Sequence, residues 1–250
     1  MNMMVDMILF FMIYSFLGWV LETVFASIIH RKFINRGFLI GPFTPIYGFG
    51  GILIVLYFNW SPFSLEDKSL LLIMNLIVSI LLVTILEFVT GFVLEKIFHS
   101  KWWDYSDNFL NLKGYICIKY SILWGVLAFV LIQIVHPSVT NLVHIPFVTN
   151  LTHIIPFQLK NPVAIIFIVY FIIDTTKSIV DVLDLRKTIL FYSELSVRVY
   201  KDKVIKYKRI FFAFPRLLFL NAGIINRDVR RILNGRVNKI KTEFKNKFQP

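Results

Sequence analysis

Charge is what this chain has least of. Only 17% of its 250 residues are Asp, Glu, Lys or Arg, where a soluble domain carries about a quarter. Hydrophobic residues make up 57% and the mean hydropathy is +0.70. Several apolar runs approach or exceed the roughly 18–20 residues that cross a bilayer. The reading is an all-α, polytopic transmembrane helix bundle. Cysteine is nearly absent: Cys117 stands alone, which excludes an internal disulfide and a Cys-based metal site. Glu95 and His99 stand four apart, a spacing that suits a metal, but no second histidine follows at ligand spacing, so no metal is expected. Nucleotide and hydrolase signatures are missing too. No G-x-x-x-x-G-K-[ST], G-x-S-x-G or H-E-x-x-H occurs, so no resident cofactor is expected and the motifs do not favour an enzyme.

The charge that is present is unevenly placed. Residues 185–250 hold 17 Lys/Arg against 4 Asp/Glu, while the first 184 positions are close to neutral. This divides the chain into a membrane domain, 1–184, and a basic, amphipathic helical tail, 185–250. Each basic residue near an anionic leaflet gains about 1 kcal/mol, so anionic lipid is the expected partner of the tail. Its stretch RIFFAFPRLLFLNAG is apolar enough to lie in the membrane interface. No nucleic-acid fold signature accompanies the charge.

Five spans are expected, at about 7–29, 46–60, 70–98, 115–135 and 162–183. The first is too long and too weakly flanked by positive charge to be a cleaved signal peptide. Lysines and arginines collect after spans one, three and five, which places the N-terminus outside and the C-terminus inside. The segment 136–161, with three prolines and His136, His144 and His153, reads as an outer loop, plain or partly re-entrant.

The chemistry sits where lipid would exclude it. Glu22 lies late in span one, beside a loop punctuated by Gly37, Gly41, Pro42 and Gly48. Glu87, Gly91 and Glu95 share one face of span three, with a groove between the acids. Asp174, Ser178 and Asp181 share a face of span five, and Lys177 stands three from Asp174. An acid at mid-helix costs roughly 2.5–3.5 kcal/mol on insertion scales. These acids fall at one depth in the cytoplasmic half, which points to a shared polar cavity with Arg36 and Asp104 at its mouth. The plainer reading is that they pair with Arg36, Lys96 and Lys119 to tie helices together. Trp102, Trp103 and Tyr105 read first as an aromatic belt. Spans one and three also echo each other: each carries a late glutamate and leads to a Tyr-Gly or Gly-Tyr start, Tyr47-Gly48 and Gly114-Tyr115.

FLGWVLETV, NRGFLIGPFTPIYGFGG and the block from LEFVTGFVLEKIF to GYICIKYSILWG make the chain resemble the type IV ABC-transporter permease family, the CmpB-like integral membrane proteins, over roughly residues 8–185. The resemblance rests on Glu22, Arg36, Tyr47, Glu87, Glu95, Asp104 and Tyr105 together with the loop glycines and proline. It implies a multi-pass protein of a bacterial cell membrane, with no defined substrate. It also implies a separate ATPase subunit docking on the loops 31–41 and 99–113, and a homo-oligomer, since five spans are few for a translocation path. The substrate expected from the acids is a cation or a basic small solute, bound by Glu22, Arg36, Tyr47, Glu87, Glu95, Asp104, Tyr105 and Asp174. Two other functions fit the same residues: a membrane-embedded enzyme acting on lipid head groups, and a scaffold or regulatory protein presenting its basic tail.

Overall fold

Apolar residues on all sides of a helix make it a bilayer helix rather than an amphipathic one, and the chain folds accordingly. The computed structural model describes residues 3–60, 68–144, 159–191 and 207–220. Helix α1 (Met3–His30) is followed by α2 (Pro45–Trp60) and α3 (Lys68–Phe98). Two-residue strands β1 (Ser100–Lys101), β2 (Asn111–Leu112) and β3 (Ile116–Cys117) lead into α4 (Ile118–Val130). A π turn (Leu131–Val135) continues into α5 (His136–His144). Then come α6 (Lys160–Phe191), the short α7 (Lys208–Ala213) and β4 (Leu218–Phe219). Among the described residues, four helical runs are long and apolar enough to cross a membrane: α1, α3, the α4–α5 run and α6. Their outer faces expose Ile28, Ile77, Ile85, Ile166 and Ile173, the pattern of a lipid-facing surface. The protein is a multi-pass membrane protein.

α2 is shorter. Its 16 residues cover about 24 Å, against a hydrocarbon core of about 30 Å. It packs chiefly on α1, as α4 does on α3. Small residues set the α1–α2 approach: a methyl on Gly18 would overlap the Tyr47 ring, and one on Gly48 would overlap Ser15 and Phe11.

Two expectations change. The segment after 135 does not leave the helix: α5 extends the α4 run to His144. Pro137 brings no N–H, and it lies two residues past the π turn, where the hydrogen-bond ladder changes register. His136 is accordingly a packing residue, 2.6 Å from the Tyr14 hydroxyl and edge-on to Phe10. Residues 145–158, with His153, lie outside the described residues. The second change concerns the tail. Its residues 207–220 pack into the protein. Tyr207, Ile210, Phe211 and Leu217 are buried with Phe98, Trp102, Val182 and Leu185, and β4 pairs antiparallel with β1. Trp102, at 3% exposure, is the centre of that cluster rather than part of a belt. The rest of the tail lies outside the described residues. At the opposite end of the bundle, Lys160 Nζ meets Asp6 Oδ1 at 3.0 Å in a buried ion pair that joins the starts of α6 and α1.

Candidate functional site

The loop between α1 and α2 does not skirt the bundle. Arg31, with φ 51°, turns the chain at the end of α1, and residues 31–44 run back along the helix that precedes them. The contacts climb α1 in order. Ile34 N–H donates to Ser27 Oγ at 3.1 Å, Arg36 N–H to Thr23 Oγ1 at 3.3 Å, and Thr44 N–H to the Ser15 carbonyl at 2.9 Å. Trp19 Nε1 donates to Asn35 Oδ1 at 2.7 Å, and Asn35 Nδ2 donates to the Ile40 carbonyl at 2.7 Å. From Arg31 to the level of Ser15 this is about 22 Å of non-helical chain. Irregular backbone persists at that depth only where protein supplies the hydrogen bonds.

Two clamps supply them from elsewhere in the chain. On one side, Asp174 of α6 accepts Ile40 N–H at Oδ1 (3.0 Å) and Gly41 N–H at Oδ2 (2.9 Å). Ser178 Oγ accepts a share of Ile40 N–H at 3.2 Å. A methyl on Gly41 would overlap the Tyr170 hydroxyl and crowd Asp174 Oδ2, so glycine lets the loop close on α6 without displacing them. On the other side, the Arg209 guanidinium of α7 donates to the carbonyls of Gly37, Phe38 and Leu39 at 3.1, 3.2 and 2.9 Å. Burial pulls the Arg209 pKa down, and the charges of Asp174 and Asp181 oppose that pull. The Asp174–Ser178–Asp181 face expected of this helix is therefore turned toward the loop. Lys177 is exposed, and the loop amides, not Lys177, take both Asp174 oxygens.

A second polar group forms where α1, α2, α3 and α4 meet. Glu22 accepts the Tyr47 hydroxyl at 2.8 Å on Oε1 and meets Arg36 Nε at 3.1 Å on Oε2. Glu87, 3% exposed, accepts the Tyr105 hydroxyl at 3.2 Å on Oε1. Its Oε2 is buried with no hydrogen-bond partner among the described residues. Trp124 lies beside the same carboxylate, and Glu22 is near enough to repel it. Tyr47 and Trp124 are in ring contact at 5.2 Å between centroids. Both also line a cavity of about 160 Å³, walled by Tyr14, Gly18, Leu21, Ile54 and Leu86 among others. These two rings thus divide an apolar cavity from a pair of carboxylates.

The hairpin 99–117 covers the rest of the α3 face. Trp103 and Tyr115 lie against Gly91, filling the groove between Glu87 and Glu95, and Trp103 Nε1 donates to the Tyr115 carbonyl at 2.8 Å. Burial, then the hydrogen bond to and charge of Glu95, push the Tyr115 phenol up to about 12. Tyr105 is likewise raised, by burial first and then by the charge of Glu87; its ring stacks on Tyr120 at 4.5 Å. Asp104 stays at the surface, where Oδ1 accepts the Ser106 N–H and hydroxyl at 3.0 and 2.5 Å. Gly114, φ 74°, turns beneath it.

Of the eight candidate residues, Glu22, Arg36, Tyr47, Glu87 and Tyr105 come together. Glu95 sits two turns further along α3, Asp174 holds the loop, and Asp104 shapes a turn. The single acidic cavity expected of all of them is divided. Two participants had no strong signal: Trp124, one aromatic in an apolar span, and Arg209, one cation in a basic tail. Among the described residues no group of three or more His, Cys, Asp or Glu could hold a metal ion.

No curated protein and no solved structure matches the chain. A family model described as "Putative ABC-transporter type IV" matches residues 9–179, which spans both the loop and the carboxylate pair. With more than half of its length inside that match, the chain belongs to this ABC-transporter family.

Proposed function

We propose that the protein is the membrane-spanning subunit of a transporter whose substrate is a cation or a basic small solute, received at Glu87. Family membership and the apolar helices support a membrane transport component. The observation that carries the substrate class is Glu87: a buried carboxylate with one oxygen held by Tyr105, Trp124 beside it, and Oε2 without a hydrogen-bond partner among the described residues. An ionisable group in that setting is expensive unless a cation or proton completes it. The adjoining apolar cavity suits a solute with a hydrocarbon body and a basic end, admitted when the Tyr47 and Trp124 rings part. In this reading α2 and the loop before it together make a fifth crossing, the N-terminus is outside, and the carboxylate pair opens to the cytoplasm. An ATPase subunit docks on the loops 31–41 and 99–113, and two copies complete the path. Arg36 is engaged by Glu22, which weighs against its binding a lipid phosphate.

The test is flux into proteoliposomes holding the chain with its co-purified ATPase, using rubidium, methylammonium and a longer alkylamine as probes. Wild type carries at least one of them, and Glu87→Gln reduces that flux at least tenfold. Absence of flux for every probe sinks the reading.

A further inference from the structure

The echo between the two helix pairs is closer than glutamates and tyrosines alone suggest. Shifted by 73 residues without a gap, GWVLE at 18–22 falls on GFVLE at 91–95, Asn35 on Asn108, Gly41 on Gly114 and Tyr47 on Tyr120. The second helices begin in step, at Pro45 and Ile118. The structures of the two units correspond as well. In the first, Tyr47 packs on Gly18 and gives its hydroxyl to Glu22, one turn further on. In the second, the ring comes from outside that register. Tyr120, the counterpart of Tyr47 at this shift, stacks on Tyr105, and Tyr115 instead packs on Gly91 and hydrogen-bonds to Glu95, one turn further on. Glycine makes room for the ring, and the ring delivers a phenol to the carboxylate.

One part is not duplicated. In the first unit Arg36 Nε completes the carboxylate from the loop, at 3.1 Å. Its counterpart at the same shift is Phe109, which is 79% exposed and brings no charge. The neighbouring cations are turned elsewhere: Lys96 lies over the Phe92 ring, and Lys101 lies over the Tyr115 ring and donates to the Lys113 carbonyl. Glu95 Oε2 is left buried with no hydrogen-bond partner among the described residues. We propose that Glu95 is the vacant counterpart of Glu22 and takes a guanidinium group supplied by a ligand. Tyr115 hydrogen-bonds to the same carboxylate, and the ligand reaches it by displacing the edge of the hairpin. This site is separate from Glu87, and it stands whether or not Glu87 meets a transported solute.

The experiment reads binding, not flux. Melting of the full chain in nanodiscs is followed against agmatine, which carries a free guanidinium, and against an acetylated Gly-Arg-Gly amide. Each variant is compared with its own ligand-free melting temperature. Wild type gains about 3 °C, saturably, and Glu95→Gln gains nothing. Arg36→Ala, which vacates the first site, gains more than wild type. A gain with agmatine assigns the group to a small solute; a gain with the peptide alone assigns it to a protein arginine. An equal gain in Glu95→Gln overturns the proposal. So does no gain in wild type with either probe, the more plainly if Arg36→Ala responds.

Discussion

Replacing Asp174 separates two roles that the residue could play. Its carboxylate is 6% exposed and accepts two backbone N–H groups of the loop at 3.0 and 2.9 Å. A buried donor left without its acceptor costs about 1–3 kcal/mol, so Asp174→Ala, which strands Gly41 N–H and leaves Ile40 N–H only its bond to Ser178, should cost about 2–5 kcal/mol. Asp174→Asn keeps one acceptor oxygen but turns an NH2 toward the other N–H, for about 1–3 kcal/mol. Ser178→Ala removes only a shared bond at 3.2 Å, for about 1 kcal/mol. At this chain length 1 kcal/mol moves a melting temperature by about 2–4 °C. The three variants in detergent micelles should therefore melt in the order Ser178→Ala, Asp174→Asn, Asp174→Ala, the last roughly 5–20 °C below wild type. Two results refute the reasoning. One is Asp174→Ala melting within about 2 °C of wild type. The other is Asp174→Asn melting like wild type while abolishing flux, which would make the residue a ligand of the solute rather than of the loop.

Arg209→Met removes three charge-assisted bonds and should release the loop by about 2–4 kcal/mol; tryptic cleavage after Lys32 and Arg36 then accelerates about tenfold per 1.4 kcal/mol. Arg209→Lys, with one point charge in place of a fork, recovers less than half of this protection. Gly18→Leu should cost about 1–3 kcal/mol by overpacking the α1–α2 seam, lowering the melting temperature and displacing the Tyr47 hydroxyl from Glu22. Cys117 is 1% exposed and is the only cysteine, so native protein should resist maleimide. Gly91→Leu, which lifts Trp103 and Tyr115, should make it reactive, and unchanged labelling would mean that the hairpin does not depend on that contact.

Four of the five expected spans were legible because lipid imposes a length and a polarity on any helix that crosses it. The face shared by Glu87, Gly91 and Glu95 was legible for a similar reason: a spacing of four fixes a direction on one helix. What lies opposite a face was not. Asp174 was read as a solute ligand because its partners are backbone amides 133 and 134 positions away, and an amide leaves no mark in the sequence. Arg209 was hidden among many similar cations. Trp102 was misjudged because a headgroup belt and a buried cluster draw on the same aromatic residues. His136 followed the Pro137 rule for loops, which fails where a π turn precedes the proline.

The two clamps on residues 37–41 also set an order of assembly. The Leu39 carbonyl waits for a guanidinium 170 positions downstream, and the Gly41 amide for a carboxylate 133 downstream. At ordinary synthesis rates that is a delay on the order of ten to thirty seconds. During that interval α1 and α2 are made, and the segment between them has its α1 partners but not those of Ile40 N–H, Gly41 N–H and the 37–39 carbonyls. A chain that stops before Arg209 keeps its first helices and never seals that segment.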